Sequence, residues 1–463
     1  MAKEQAAFLQ GSLMRHITVM ALTSTVGLMA VFLVDLVDMI FISMLGRDEL
    51  AAAVGYSGAI LFFTTSFGIG MAIAAGALVA KALGAGDPVL ARQRAATSLI
   101  YGFVFGAIFA AVIWWYSAAL AALMGASGET LRLATGYLQI IIPSLPILII
   151  AIVGSAILRA HGDARRSMMA TVIGGAVNAV LDPILIFGLN LELTGAAMAS
   201  VAARVAMAVA ALWPIFRHHG GLEKPGLAAF WVDFPGLTAI AGPAILTQLA
   251  TPVGQAYVTR SMAAYGEDAV AGMAIVGRLT PVAFGVLFAL SGAMGPVIGQ
   301  NFGAGKMGRV RRGFREGILF TGVVVLLVTA ILFALRAPIA DLFGATGTAR
   351  QLVYLFCGPL ALLFFFNGVI FVANAAFNNL GHPFYSTWVN WGRHTLGTIP
   401  FVMVCAWAWG APGVLIGQAV GGVMFAAIAW VLARKVMARG GGKPVDEPFA
   451  RQARLLGLFS FRR

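Results

Sequence analysis

The chain has 463 residues, of which 60% are hydrophobic and 11% charged, whereas a soluble domain carries about 25% charged residues. With a mean hydropathy of +0.91, that composition excludes a soluble globular protein and implies an all-α integral membrane protein with many spans. The net charge of +13 is then a matter of which loops face which side, so nucleic-acid binding is not inferred from it.

The polar segment 1–15, with Lys3 and Arg15, leads straight into the first apolar span, so no cleavable signal peptide is expected. Span 1 is predicted near 16–43 and carries Asp35 and Asp38, three apart and therefore on one helix face. Span 2, near 53–80, runs out at Gly84-Ala85-Gly86. Spans 3 and 4, near 97–123 and 133–158, end before Gly125 and Gly162. Span 5, near 168–188, contains Asn178 and Asp182, four apart, followed at once by Pro183. Span 6, near 194–216, contains Ser200 and Arg204. His218-His219-Gly220-Gly221 and Pro225-Gly226 then mark a connecting segment, 217–235. The remaining spans are predicted near 236–260, 271–298, 314–335, 351–377, 384–408 and 412–433. Each of the twelve is close to or above the ~20 residues a crossing helix needs. A tail, 439–463, opens on Gly440-Gly441-Gly442 and mixes basic with apolar residues, as expected of a disordered segment resting on anionic lipid.

With both termini placed in the cytoplasm, the inner loops and termini hold 23 Lys and Arg and the outer loops five. That asymmetry is the positive-inside pattern of a multi-pass protein of the cell, or inner, membrane. The chain also repeats itself. Gly86, Gly125 and Gly162 recur as Gly305, Gly344 and Gly381, each 219 residues on. Six spans per repeat is an even number, so both repeats enter from the same side and form parallel, pseudo-symmetric six-helix bundles. The expected organisation is a cytoplasmic N-terminus 1–15, an N-lobe 16–216, a cytoplasmic linker 217–235, a C-lobe 236–438 and the basic tail 439–463.

The 18 acidic residues are placed in loops, at helix ends or in the tail, except for three, Asp35, Asp38 and Asp182, which fall inside apolar spans. A carboxylate there costs about 2.5–3.5 kcal/mol on translocon scales, so such acids mark cation or proton sites. Pro183 opens the helix ladder beside Asp182, and Asn178 shares its face, giving an amide, a carboxylate and a loosened carbonyl together. The plainer alternatives are that Asp38 sits at the outer interface, that Asp35 bonds a neighbouring helix, and that Asp182 anchors the loop at 188–192. At a spacing of 219 or 220 the second repeat offers Gln255, Val258 and Phe401 in place of Asp35, Asp38 and Asp182, none of them acidic. Arg260 and Arg278 read as snorkelling residues, and Trp388, Trp391, Arg393 and His394 as an interfacial belt. Cys357 and Cys405 read as core thiols, with no disulfide or metal site. No HExxH, P-loop or nucleophile elbow is present, so neither an enzyme nor ATP-driven transport is indicated.

Over about residues 12–435 the chain resembles the multidrug and toxic compound extrusion (MATE) family. The matching segments include Val37-Asp38-Met39-Ile40-Phe41-Ile42-Ser43-Met44-Leu45-Gly46, Leu158-Arg159-Ala160-His161-Gly162-Asp163, Asn178-Ala179-Val180-Leu181-Asp182-Pro183 and Gly299-Gln300-Asn301-Phe302-Gly303-Ala304-Gly305. The resemblance implies a V-shaped pair of six-helix bundles, monomeric in the bilayer, that exports small organic cations or hydrophobic drugs in exchange for H⁺ or Na⁺ without a cofactor. It places coupling at Asp38, Asn178 and Asp182, with Na⁺ as the alternative ion there, and puts Ser200 in the substrate cavity. Asp35, where the family commonly has asparagine, joins both sets. Thr23 stands where the family often has the proline that the second half keeps as Pro243, which argues against a proline-hinged bend in span 1. The acid-free second half looks like the DinF-like branch more than the NorM-like one. The rival functions are a lipid-linked precursor flippase of the same superfamily, which needs an Arg-rich cavity, and a membrane-embedded enzyme.

Overall fold

The computed structural model describes residues 6–440, and all of its regular elements are helical. The basic tail expected over 439–463 therefore lies outside the described residues except for its first two. The first half comprises α1 (Leu13–Met44), α2 (Asp48–Gly84), α3 (Pro88–Trp115), α4 (Ser117–Leu123), α5 (Gly128–Ile141), α6 (Leu145–Ala160), α7 (Ala164–Pro183) and α8 (Glu192–His218). The second comprises α9 (Leu227–Ala263), α10 (Glu267–Gly303), α11 (Met307–Leu342), α12 (Gly347–Leu355), α13 (Ala361–Asn379), α14 (Pro383–His394), α15 (Ile399–Trp409) and α16 (Ala411–Arg439).

Helices begin at carboxylate caps in two places. Asp87 accepts from the Leu90 N–H just before Pro88, and Asp163 accepts from the Arg166 N–H, satisfying donors that a helix start leaves without partners. They end at left-handed glycines that repeat at the predicted spacing. Gly86 and Gly305 have φ of +80° and +70°, and Gly162 and Gly381 of +85° and +84°, a conformation side chains resist. Prolines set the internal breaks. α5 and α6 are joined by the tight turn Ile142–Ser144 around Pro143, α7 runs into a wide π-turn, Ile184–Gly188, directly after Pro183, and α12 meets α13 through a second π-turn, Phe356–Leu360, around Pro359.

Eleven helical stretches among the described residues are long and apolar enough to cross a membrane. The eleventh expected span, 384–408, is divided into α14 and α15 by a turn over Thr395–Thr398. Pro400 has no N–H to continue the ladder, and Gly421 of α16 packs onto the Gly397 carbonyl so tightly that an added Cβ would fall 1.4 Å from it. A regular helix has no room to pass there. By contrast, α1 carries no break, as the threonine at position 23 leads one to expect.

The described chain divides into two compact units: residues 6–7 with 26–241, and residues 8–25 together with 242–440. This differs from the expected lobes at two places. The start of α1 belongs to the second unit, where Arg309 donates to the carbonyls of Phe8, Gln10 and Gly11 and the Phe8 N–H donates to Gln300. The start of α9 belongs to the first, because Tyr101 of α3 donates to the Phe230 carbonyl and Thr97 to Asp233. The linker read as 217–235 is thus helical at both ends, α8 running to His218 and α9 starting at Leu227, since on α3 the Tyr101 ring packs against Phe230 and Phe234 and the Thr97 hydroxyl donates to the Asp233 carboxylate.

Candidate functional site

The site is built where α1 runs beside α7 in the first unit. Gly27 lies against Met168 and Thr171, and Gly175 lies against Val34. Farther along, Asp38 meets Asp182 and the Phe41 ring meets Phe187 edge to face at 5.9 Å. Both numbers climb together, so the helices are parallel, and glycines on each let the backbones approach as membrane helices do. That register brings Asp38 to Asp182. Three residues earlier on α1, Asp35 is exposed and its charged neighbour is Asp38 alone, so it does not join Asp182.

Asp182 is fully buried, Asn178 is buried one turn before it, and Asp38 is half-buried. The two carboxyls lie within hydrogen-bonding reach of each other. As carboxylates they are acceptors only, and Asp38 Oδ1 and both Asp182 oxygens have no donor among the described residues. The approach becomes a bond only when a proton, or a cation, lies between them. Asn178 Nδ2 is likewise buried without an acceptor. Unsatisfied buried polar atoms are costly, and four on three adjacent residues mark a place built to receive something. The π-turn holds Asp182 in position from the other side. Gly195 of α8 packs onto the Leu185 carbonyl so closely that a Cβ would lie 2.8 Å from it.

Two further residues, which span composition does not single out, complete the surroundings. The Tyr137 hydroxyl of α5 is hydrogen-bonded to the Ser200 hydroxyl of α8 and lies within electrostatic range of Asp38, Asp182 and Arg204. Arg204, one turn beyond Ser200, donates through Nη1 to the Ile141 carbonyl and the Ser144 hydroxyl, each at 2.9 Å. The signal available in the sequence was the polar i, i+4 pair Ser200 and Arg204 on α8. Among the described residues no group of three or more His, Cys, Asp or Glu is arranged to hold a metal. A Na⁺ ion would instead take the hard oxygens of Asp38, Asp182 and the Asn178 amide.

The positions corresponding to the acids in the second unit are apolar or amide. Val258 is fully buried, Gln255 exposed and Phe401 half-buried. Arg260 and Arg278 are exposed, as snorkelling requires. Trp388 is exposed, but His394 is buried against Gly254, so it is not part of an interfacial belt.

A cluster outside the spans ties the α6–α7 loop to the end of α8. Asp163 accepts from His219 at 3.1 Å and from Arg166 at 2.5 Å. Burial alone pushes the Asp163 carboxyl up, but these bonds outweigh it and bring it down to about 2. Burial pushes the adjacent His161 imidazole down to about 4.

The sequence model of the MatE family matches residues 24–184 and again 243–404, two copies at the spacing of the glycine repeat. The FAD transporter of Shewanella oneidensis is 27% identical over 444 residues, covering 94% of this chain and 97% of that protein. The multidrug export protein MepA of Staphylococcus aureus is 26% identical over 329 residues, 70% of this chain and 72% of that one. Among solved structures, a mutant of the Vibrio cholerae MATE transporter VcmN superposes with a TM-score of 0.87 at 24% identity, covering 92% of this chain and 97% of that one.

Proposed function

Because the chain belongs to the MatE family of membrane transporters, we propose that it is a secondary-active exporter that moves organic cations or hydrophobic compounds out of the cell in exchange for protons. The termini then face the cytoplasm, and coupling runs through the first unit alone, as in the DinF-like branch. The observation that carries this reading is the buried approach of Asp38 to Asp182 without a donor between them. A proton taken from the outer side bridges the two carboxyls and halves the negative charge that holds a cationic cargo. Deprotonation toward the inner side restores that charge. Substrate and proton compete for one site, and each shifts the balance of states only through its different affinity for them. Asn178 adds an unpartnered amide one turn from Asp182, and Na⁺ in place of H⁺ would use the oxygens of all three residues.

The test is efflux of a fluorescent cationic dye from proteoliposomes under a pH gradient and, separately, a Na⁺ gradient. Dye movement driven by pH and lost in Asp182→Asn supports proton coupling. Movement driven by Na⁺ alone reassigns the same residues to a metal ion. No movement under either gradient, with folded protein verified, sinks the reading and turns attention to lipid flipping.

A second reading concerns the cargo. The match to the FAD transporter spans nearly the full length of both proteins, and export of an anionic dinucleotide is compatible with a cation inside the first unit, Arg204.

A further inference from the structure

Arg204 sits near the middle of α8, with twelve residues before it and fourteen after in a helix running from Glu192 to His218. It makes no ion pair among the described residues, and its one titratable neighbour is the neutral Tyr137 hydroxyl. Charges at such depth face the protein interior or water rather than lipid. The hydrogen bonds it makes do not explain its presence. The Ile141 carbonyl, exposed by the proline turn, already accepts from the Ser144 hydroxyl at 2.7 Å, so a neutral donor serves that break.

Only Nη1 is spent in those bonds. Nε and Nη2 have no acceptor among the described residues, and the side chain is half-buried, so this edge of the guanidinium is not sealed in the core. A permanently charged, planar fork with two free donors matches a carboxylate or phosphate in bidentate fashion. Tyr137 lies within electrostatic reach of Arg204 on one hand and of Asp38 and Asp182 on the other, while neither carboxyl has Arg204 among its charged neighbours. The first unit therefore presents an acidic pole and a basic pole separated by a tyrosine, with Ser200 and Arg204 on one face of α8.

We propose that the free edge of Arg204 binds an acidic group, phosphate or carboxylate, of the transported compound. The cargo class is then an anion or zwitterion rather than a lipophilic cation alone. This rests on the placement of the coupling site given above, with Arg204 selecting the compound and the carboxyl pair driving it.

The experiment uses two fluorescent probes that differ by one phosphate, flavin mononucleotide and riboflavin, titrated against the purified full chain in detergent micelles. Wild-type protein is expected to favour the phosphorylated probe by about tenfold or more, the scale of one charge-assisted contact. The ratio falls to about one in Arg204→Gln and Arg204→Met, and part of it returns in Arg204→Lys, which restores charge without the fork. A merely structural role weakens both probes alike and leaves the ratio unmoved, which overturns the proposal, as do equal affinities in the wild type. Displacement of the mononucleotide by added phosphatidylglycerol assigns the edge to a lipid headgroup and overturns the reading of a soluble cargo. Dye efflux under a pH gradient is scored separately. Dye movement without a phosphate preference removes the Arg204 proposal alone, and a phosphate preference without dye movement removes the cation-export reading alone.

Discussion

The two units repeat one helical plan but fill its corresponding positions differently. In the first, α1 and α7 meet along glycines and bring Asp38 to Asp182, beside a π-turn that follows Pro183. In the second, the matching positions hold Val258 and Phe401, and the helix break falls between α14 and α15, where Gly397 receives Gly421. One break surrounds unsatisfied carboxyl oxygens; the other is closed by backbone packing. A duplicated fold thus keeps its geometry in both halves while the costly chemistry needs to be housed in only one. Carboxylates in a membrane are expensive, and a second set is retained only if it does something the first does not.

The largest effect should come from removing the difference at its source. Asp182→Asn is expected to lower pH-driven dye efflux by about a hundredfold or more, because a neutral amide cannot exchange a proton, a loss equivalent to at least ~2.7 kcal/mol. Phe401→Leu, its counterpart in the second unit, should leave efflux within about threefold, since volume-conserving apolar changes disturb packing little. Equal losses in the two variants would dissolve the functional asymmetry.

Adding charge to the second unit is the converse experiment. Val258→Asp places a carboxylate at the repeat position that corresponds to Asp38, at a fully buried site. It should lower thermal stability in detergent by about 2.5–3.5 kcal/mol and restore no efflux when combined with Asp182→Asn. Recovered efflux would mean that either unit can carry coupling.

Packing at the two breaks is tested by alanine. At Gly421 the added methyl meets the Gly397 carbonyl, and at Gly195 it meets the Leu185 carbonyl at a longer distance. Gly421→Ala should therefore cost about 3 kcal/mol and Gly195→Ala about 1–2, read as shifts in melting temperature. Only Gly195→Ala should also slow efflux, because it displaces the π-turn that positions Asp182.

The smallest effect is a pH dependence at the loop end of the first unit. His161 is held neutral in the folded chain down to about pH 4, from an ordinary value of 6.5. As pH falls from 6.5 toward 4, the unfolded chain takes a proton that the folded one refuses, so stability declines across that window and levels off below it. His161→Gln should flatten the melting profile there. Asp163, at about 2 in the folded chain, contributes its full stabilisation above about pH 4 and loses it as pH falls toward 2. Asp163→Asn should therefore lower the profile uniformly between pH 4.5 and 7.5 without changing its slope, checked by melting at successive pH values.

Much of this was legible in the residues. Composition determined a helical membrane protein, because apolar length is a local property that each span carries by itself. The spacing of Gly86, Gly162, Gly305 and Gly381 determined the repeat, since a left-handed helix end demands glycine wherever it recurs. Span-embedded acids pointed to the first half, and Pro183 pointed to a loosened helix beside Asp182. Tertiary structure alone decided which of Asp35 and Asp38 meets Asp182, that the last expected span but one is two helices, that the first turns of α1 join the second unit, and that Tyr137 and Arg204 stand at the site. Those facts depend on contacts between helices far apart in the chain. Hydropathy and periodicity fix what each helix is and which face it buries, but register against a neighbour follows from the glycines and side chains of both.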